Sequence, residues 1–249
     1  MLRGYESYSF KHGKKRTKKL LSFLLKFFIA LFILYLIVTN VFITSHRVAT
    51  DSMAPNIVLN ERVLASPVVY GIRFPFSQKR VIETGRPRRG DVVIIEPPYL
   101  KNEGLLKRIF NPLVHFFSLQ SRSLFPDRMT RGAGKHVIKR VVGVPGDTVV
   151  VKDLVVYIKP VNQARFQRES DLIPVGYAIG TDGFKENWPK GLPFSGDMGE
   201  ITLDEKDYFV LGDNRGHSSD SRSWGPVPFE RIIGKIVLRY WPLDKLGIP

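Results

Sequence analysis

Apolar positions along the chain fall into two regimes. From Leu20 to Ser45 the sequence LLSFLLKFFIALFILYLIVTNVFITS is almost unbroken grease, and no residue from Phe27 to Ser45 is charged. A helix needs about 17–25 mostly apolar residues to cross a bilayer, and Lys26 lies close enough to one end to snorkel. Beyond this stretch, short β-branched runs recur, each closed by Gly, Pro or Asp: RVLASPVVYGI, GDVVIIEPP, HVIKRVVGVPGD, TVVVKDLVVYI, DYFVLGD and IIGKIVLRYW. Such runs, with few helical patterns between them, predict a mostly β domain of many short strands. Gly104–Gln120 is the exception: Leu105, Leu106, Ile109, Phe110, Leu113, Phe116 and Phe117 recur at helical spacing. Pro112 would kink or split that helix. Two readings stay open, an amphipathic helix on the core and an interfacial helix on a membrane, since Lys107, Arg108 and His115 accompany the aromatics.

Charge gives the apolar run a direction. Residues 1–19 carry Arg3, Lys11, Lys14, Lys15, Arg16, Lys18 and Lys19 against one acid, Glu6, a net +6. A cleaved signal peptide has an apolar region of about 7–15 residues and a small-x-small exit. Here the run is longer and leads into Ser45, His46, Arg47 and Val48, so it reads as an uncleaved anchor. The positive-inside rule then places the tail in the cytoplasm. The predicted organisation is a basic cytoplasmic tail over 1–19, one transmembrane helix over 20–45, and an extracytoplasmic β domain over 46–249. Within that domain, 155–205 is rich in Gly and Pro and reads as a loop-rich β extension.

The whole chain has 249 residues, a formal charge of +15 and no cysteine. Disulfides, a thiolate nucleophile, cysteine-held zinc and iron–sulfur clusters are therefore excluded. Residues 46–249 hold 30 basic and 22 acidic residues, scattered rather than striped, and no nucleic-acid-binding motif stands out. Nucleic acid is accordingly set aside as a partner, and an anionic bilayer surface is the expected one.

Three segments carry candidate chemistry. Ser52 in ATDSMAP is either an ordinary turn serine or a nucleophile, which requires a base to take its proton. The histidines, His12, His46, His115, His136 and His217, have no evident triad setting. In HVIKRVVG, strand alternation puts Val137, Lys139 and Val141 on one face and Ile138, Arg140 and Val142 on the other. A lysine buried among valines loses ammonium stability, its pKa falls, and the neutral amine becomes a general base. The plain alternative is a lysine whose head reaches water or a carboxylate. The segment GDNRGHSSDSRSWGPVP, Gly212–Pro228, is dense in hydroxyls and carries Asp213, Arg215, Asp220 and Arg222. It reads as a hydrogen-bonded support for a base or as a solvated turn, and its two arginines argue against a cation loop. No metal or cofactor is expected.

Taken together and in order, TDSMAPNI, NERVLASPVVYGIRFPF, IETGRPRRGDVVIIEPP, KRVVGVPGDTV and GDNRGHSSDSRSWGPVP strongly resemble bacterial type I signal peptidases, the Ser–Lys leader peptidases. With the tail IIGKIVLRYWPLDKLG, the resemblance covers about 50–98, 136–151 and 208–242. It implies a signal-peptidase-like β fold of coiled antiparallel sheets, shared with LexA, behind the anchor. It implies Ser52 as nucleophile, Lys139 as general base, and Thr50 with the Ser52 N–H as oxyanion hole. Ser218, Asp220 and Arg222 would support the lysine, beside a rigid turn of Asp213, Asn214 and Arg215. Val48, Met53, Ile57, Val63 and Ile138 would line pockets for small substrate residues. The implied activity is cleavage of signal peptides from exported preproteins after Ala-x-Ala sites, at the bacterial cytoplasmic membrane, with the bilayer and the export machinery as partners. The sequence departs from the family pattern at Asn56, usually Thr, at His217, usually Asn, at Gly216, often polar, and at His46, often apolar. Residues 99–135 form an insertion relative to compact members. Two alternatives belong to other classes: a non-catalytic tethered peptide-binding homologue, and a LexA-like self-cleaving regulator.

Overall fold

The computed structural model describes residues 3–38, 42–73, 80–100, 110, 114, 136–173, 176–181, 183 and 195–249. The expected helix over Gly104–Gln120, and nearly all of the insertion, lie outside the described residues.

The chain opens with one helix, α1 (Arg3–Ile37), so the basic tail is helical together with the apolar run. Lysine, arginine and leucine are good helix formers, and the helix runs on through Gly4 and Gly13. The portion Thr17–Ile37 has a mean hydropathy of 2.6, none of it is buried inside the protein, and it is long and apolar enough to cross a membrane. The first strand, β1 (Thr44–Arg47), already takes Thr44 and Ser45, which the apolar run had assigned to the anchor. The pairing of Thr44 with Ala65 and of His46 with Val63 decides this, because a partner strand supplies hydrogen bonds that local sequence does not advertise.

Thirteen strands follow the helix among the described residues. After β1 come β2 (Arg62–Ser66), β3 (Ile72–Arg73), β4 (Arg80–Ile82), β5 (Val92–Ile95) and β6 (Val137–Gly143). Then come β7 (Thr148–Lys152), β8 (Val155–Lys159), β9 (Gln167–Arg168), β10 (Met198–Thr202), β11 (Asp207–Leu211), β12 (Val227–Pro228) and β13 (Ile232–Trp241). The main sheet has the order β1-β2-β13-β5-β6-β11-β12, a second has the order β10-β7-β8-β9, and β3 pairs with β4 alone. All the strand pairings are antiparallel. The protein is therefore mostly β, with irregular antiparallel sheets and one N-terminal apolar helix, as the pattern predicts. Register shifts in β13 and between β11 and β6 bend the main sheet.

The second sheet is larger than the expected extension, because β7 starts it at Thr148. Asp153 and Leu154, both with positive φ, close the two-residue hairpin from β7 to β8. That turn matches the right-handed twist of its strands. A cluster of Val142, Val149, Val156, Ile158, Phe209 and Leu211 joins this sheet to β6 and β11. A second cluster, of Val48, Met53, Ile57, Val63, Val92 and Ile94 with Ile138 against it, shares that face of β6, and a third, of Val93, Ile95, Val141, Val210 and Ile232 with Val137 against it, covers the other. The strand that carries Lys139 is thus held between packed layers.

Candidate active site

Two turns and the middle of β6 converge at one buried point. Strand β6 is central to its sheet, pairing Lys139 with Val93 of β5 and Arg140 with both Val92 and Leu211. That position strips water from Lys139, which is only 2% exposed. Its Nζ lies 2.9 Å from Ser52 Oγ and 3.0 Å from Ser218 Oγ. Neither contact follows from local sequence, since Ser52 is 87 residues away. Both serines are buried as well.

Electrostatics at this point favour a neutral amine. Burial pulls the Lys139 ammonium down from its ordinary value to about 8. Asp220 opposes the shift and the Arg222 guanidinium adds to it. Asp220 is itself neutralised as a partner, because Arg222 grips it through Nε at 2.8 Å and Nη2 at 2.9 Å. Burial works to raise the Asp220 carboxyl, yet Arg222, Lys139 and the Ser218 hydroxyl outweigh it and hold the group below the usual range. Asp220 also caps the short helix α2 (Ser221–Trp224), accepting from the Arg222 N–H, and takes the Gly212 N–H at 3.1 Å. Gly212 allows this close approach: a Cβ there would fall inside Ser218 Oγ and the Ser52 carbonyl oxygen.

The turn after β11 serves the two neighbours of the lysine. The Asn214 N–H donates to the Ser52 carbonyl at 3.1 Å, tying the two loops together. Asp213 takes a two-pronged bond from Arg140, Nε and Nη2 each at 2.8 Å, next door to Lys139 on β6. Arg215 points away, donating to Glu169 at 2.7 Å and to the Gly212 carbonyl at 3.0 Å. Thr50 Oγ1 lies 3.2 Å from Ser52 Oγ. On the rim, His217 Nδ1 meets Asp51 at 3.0 Å, so both flanks of the serine are tethered.

A cleft opens beside Ser52, lined among others by Val48, Thr50, Met53 and Ile138. Ile57 and Val63 are fully buried in the apolar cluster behind it. They shape the wall from the core rather than facing the cleft. Sequence reading gave no site role to Arg140, Asn56, Glu169 or Tyr177. Asn56 Nδ2 donates to Asp213 at 2.9 Å and to the Ala178 carbonyl at 2.7 Å, and Arg140 stacks over the Tyr177 ring at 4.0 Å. The pair KR in KRVVG held the one available signal, an arginine forced to the face opposite the lysine. Its partner lies 73 residues on.

Comparison with known proteins places the chain. The family described as Signal peptidase, peptidase S26, matches the chain over residues 20–241. The chain belongs to this family. Signal peptidase I of Leptolyngbya laminosa is 28% identical over 202 residues, covering 80% of this chain and 70% of its own length. Signal peptidase I of Rickettsia typhi is 30% identical over 219 residues, covering 76% of this chain and 68% of its own. A solved signal peptidase I from Enterococcus faecalis V583 covers 61% of this chain and 98% of its own, at 24% identity and a TM-score of 0.32. Membership of peptidase family S26 makes the protein a serine peptidase, a hydrolase of the signal peptidase class.

Proposed function

We propose that the chain is a membrane-bound serine endopeptidase that removes signal peptides from exported preproteins, with Ser52 as nucleophile and Lys139 as general base. The observation that carries this reading is the 2.9 Å contact between Lys139 Nζ and Ser52 Oγ in a buried setting. A serine hydroxyl is weak until a base removes its proton, and an amine held near 8 is neutral often enough to do so. Ser52 Oγ attacks the scissile carbonyl carbon while Lys139 takes the hydroxyl proton. The tetrahedral oxyanion forms within reach of Thr50 Oγ1 and the Ser52 N–H. Loss of one such donor typically costs about 10²–10³-fold in rate. Collapse breaks the C–N bond, and Lys139 returns the proton to the leaving amine. Water, deprotonated by the same lysine, then hydrolyses the acyl-enzyme. Ser218, bonded to Lys139 and Asp220, keeps the amine aimed.

The cleft walls of Val48, Met53 and Ile138 are apolar and the cleft is small, which suits small residues such as those of Ala-x-Ala sites. The basic N-terminal segment and α1 support a cytoplasmic N-terminus and one membrane span, with the β domain on the far side. A non-catalytic homologue would be free to lose one member of the Ser52–Lys139 pair, and both are here in contact. Preprotein processing in detergent or liposomes tests the proposal. Wild type cleaves after an Ala-x-Ala site, and Ser52→Ala and Lys139→Ala each lose the activity. Full processing by Ser52→Ala would remove that residue as nucleophile.

A further inference from the structure

Asn56 is held from two sides, and one holder comes from a strand that bears none of the proposed reacting groups. On one side the Asn56 amide bonds Asp213 and the Ala178 carbonyl. On the other, Arg239 of β13 donates from Nη1 to the Asn56 carbonyl oxygen at 2.8 Å. The same Nη1 lies 3.3 Å from Glu61 Oε2, and Arg239 Nε donates to the Lys245 carbonyl at 2.8 Å. The guanidinium therefore bridges the loop after Ser52, the residue before β2 and the turn after β13. That turn fixes the strand end in return. The Arg239 N–H donates to the Gly247 carbonyl at 2.7 Å, and the Gly247 N–H to the Arg239 carbonyl at 3.1 Å. Glu61 is buried and also accepts the Val58 N–H at 3.2 Å, so a charge-assisted bond locks the arginine from behind.

The group that Arg239 grips leads straight to the serine. The Asn56 carbonyl and the Ile57 N–H belong to one planar peptide unit. That N–H donates to the Met53 carbonyl at 2.9 Å, and Met53 follows Ser52 directly. The Ala54 N–H donates to the Asp51 carbonyl at 2.9 Å, which closes the turn around the serine. A cation on the carbonyl end polarises the peptide unit and strengthens the bond at its N–H end. Arg239 thus acts on the Ser52 turn through one rigid plane. Its flat fork meets oxygens in fixed directions, which an ammonium on a flexible stem does not.

We infer that Arg239 is a positioning residue: its guanidinium, locked by Glu61 and the turn after β13, holds residues 51–57 so that Ser52 Oγ stays within reach of Lys139 Nζ. The inference rests on the proposed peptidase reading. A misplacement of about 1 Å between reacting groups costs up to about 10²-fold in rate.

The test measures kcat and KM for signal-peptide cleavage by the full chain in detergent. Arg239→Ala is expected to lower kcat about tenfold or more. The loss falls on kcat more than on KM, because Val48 and Ile138 of the cleft wall lie outside the turn. Arg239→Lys is expected to fall between the two. Millimolar guanidinium should raise the kcat of Arg239→Ala by refilling the vacated place, whereas the same denaturant would lower it in a variant that had only lost stability. The acid limb of the pH profile should keep its midpoint, since the charges that act on Lys139 are Asp220, Arg222, Asp213 and Asp51. Lys245→Ala loses a bond of 3.4 Å to the same Glu61 carboxylate and should keep kcat within about twofold. Wild-type kcat in Arg239→Ala, no gain with guanidinium, a shifted midpoint, or an equal loss in Lys245→Ala overturns the inference alone. Should Arg239→Ala not fold, Arg239→Lys decides, because it keeps a cation against Glu61, and wild-type kcat there overturns the inference. Failure of wild type to cleave any signal peptide overturns the peptidase reading and the inference with it.

Discussion

A lysine amine serves as a base only while it is unprotonated, so its surroundings set the working pH. Burial is the largest influence on Lys139, and Asp220 pulls the other way. The balance leaves the folded-state value at about 8, below the ordinary lysine value. Below about 8 the ammonium dominates and cannot take the Ser52 proton; above it the neutral amine can. The expected kcat/KM therefore rises about tenfold per pH unit on the acid side and levels off above the lysine value. A pH series of peptide cleavage checks this, and a rate that climbs below pH 6 would contradict Lys139 as base. Periodicity made the buried lysine legible, since valines flank it at every second position. What it could not supply was the acid: Asp220 enters from a turn 81 residues later, and only the fold brings it near.

Strands with a strong β-branched signal are where the sequence pattern says they are: GDVVIIEPP gives β5, HVIKRVV gives β6 and IIGKIVLRYW gives β13. Strand β1, reading TSHR, has no such signal and exists through its pairing with β2. The link between the second sheet's connection and the candidate site was equally silent. It runs through Asn56, whose amide donates to the Ala178 carbonyl and to Asp213 and accepts from the Ala178 N–H at 3.2 Å. Asp213 in turn holds Arg140 beside the lysine, and Gly180 bonds the backbone on both sides of Asn214. Asn56 thus pins the 176–181 segment onto the loop that follows Ser52. Asn56→Ala removes three hydrogen bonds and is expected to cost about 1–3 kcal/mol. Urea unfolding should show a lower midpoint with an unchanged slope. Limited proteolysis should cut sooner within 176–181. Wild-type stability and protease resistance in this variant would mean that the amide is not the pin.

At the scale of the molecule, the charge and the apolar run make one joint statement about orientation. Seven basic residues in 1–19 sit beside a span of mean hydropathy 2.6, and α1 carries both as one continuous helix. Positive charge resists transfer across the bilayer, so under the proposed topology the helix end that bears it is the cytoplasmic one. The same proposal puts the β domain, joined to the other end at β1, outside, where exported chains emerge. Apolar side chains left exposed on that domain include Trp241, Leu243, Leu246 and Ile248 near its C-terminal end. The absence of cysteine makes the orientation directly measurable, because any single introduced thiol is the only one present. Ser170→Cys, on the exposed surface of the β domain, should react with a membrane-impermeant maleimide in intact spheroplasts. Ser7→Cys, in the basic segment, should react only after the membrane is opened. Labelling in the reverse pattern would invert the topology and place the Ser52–Lys139 pair on the wrong side for exported substrates.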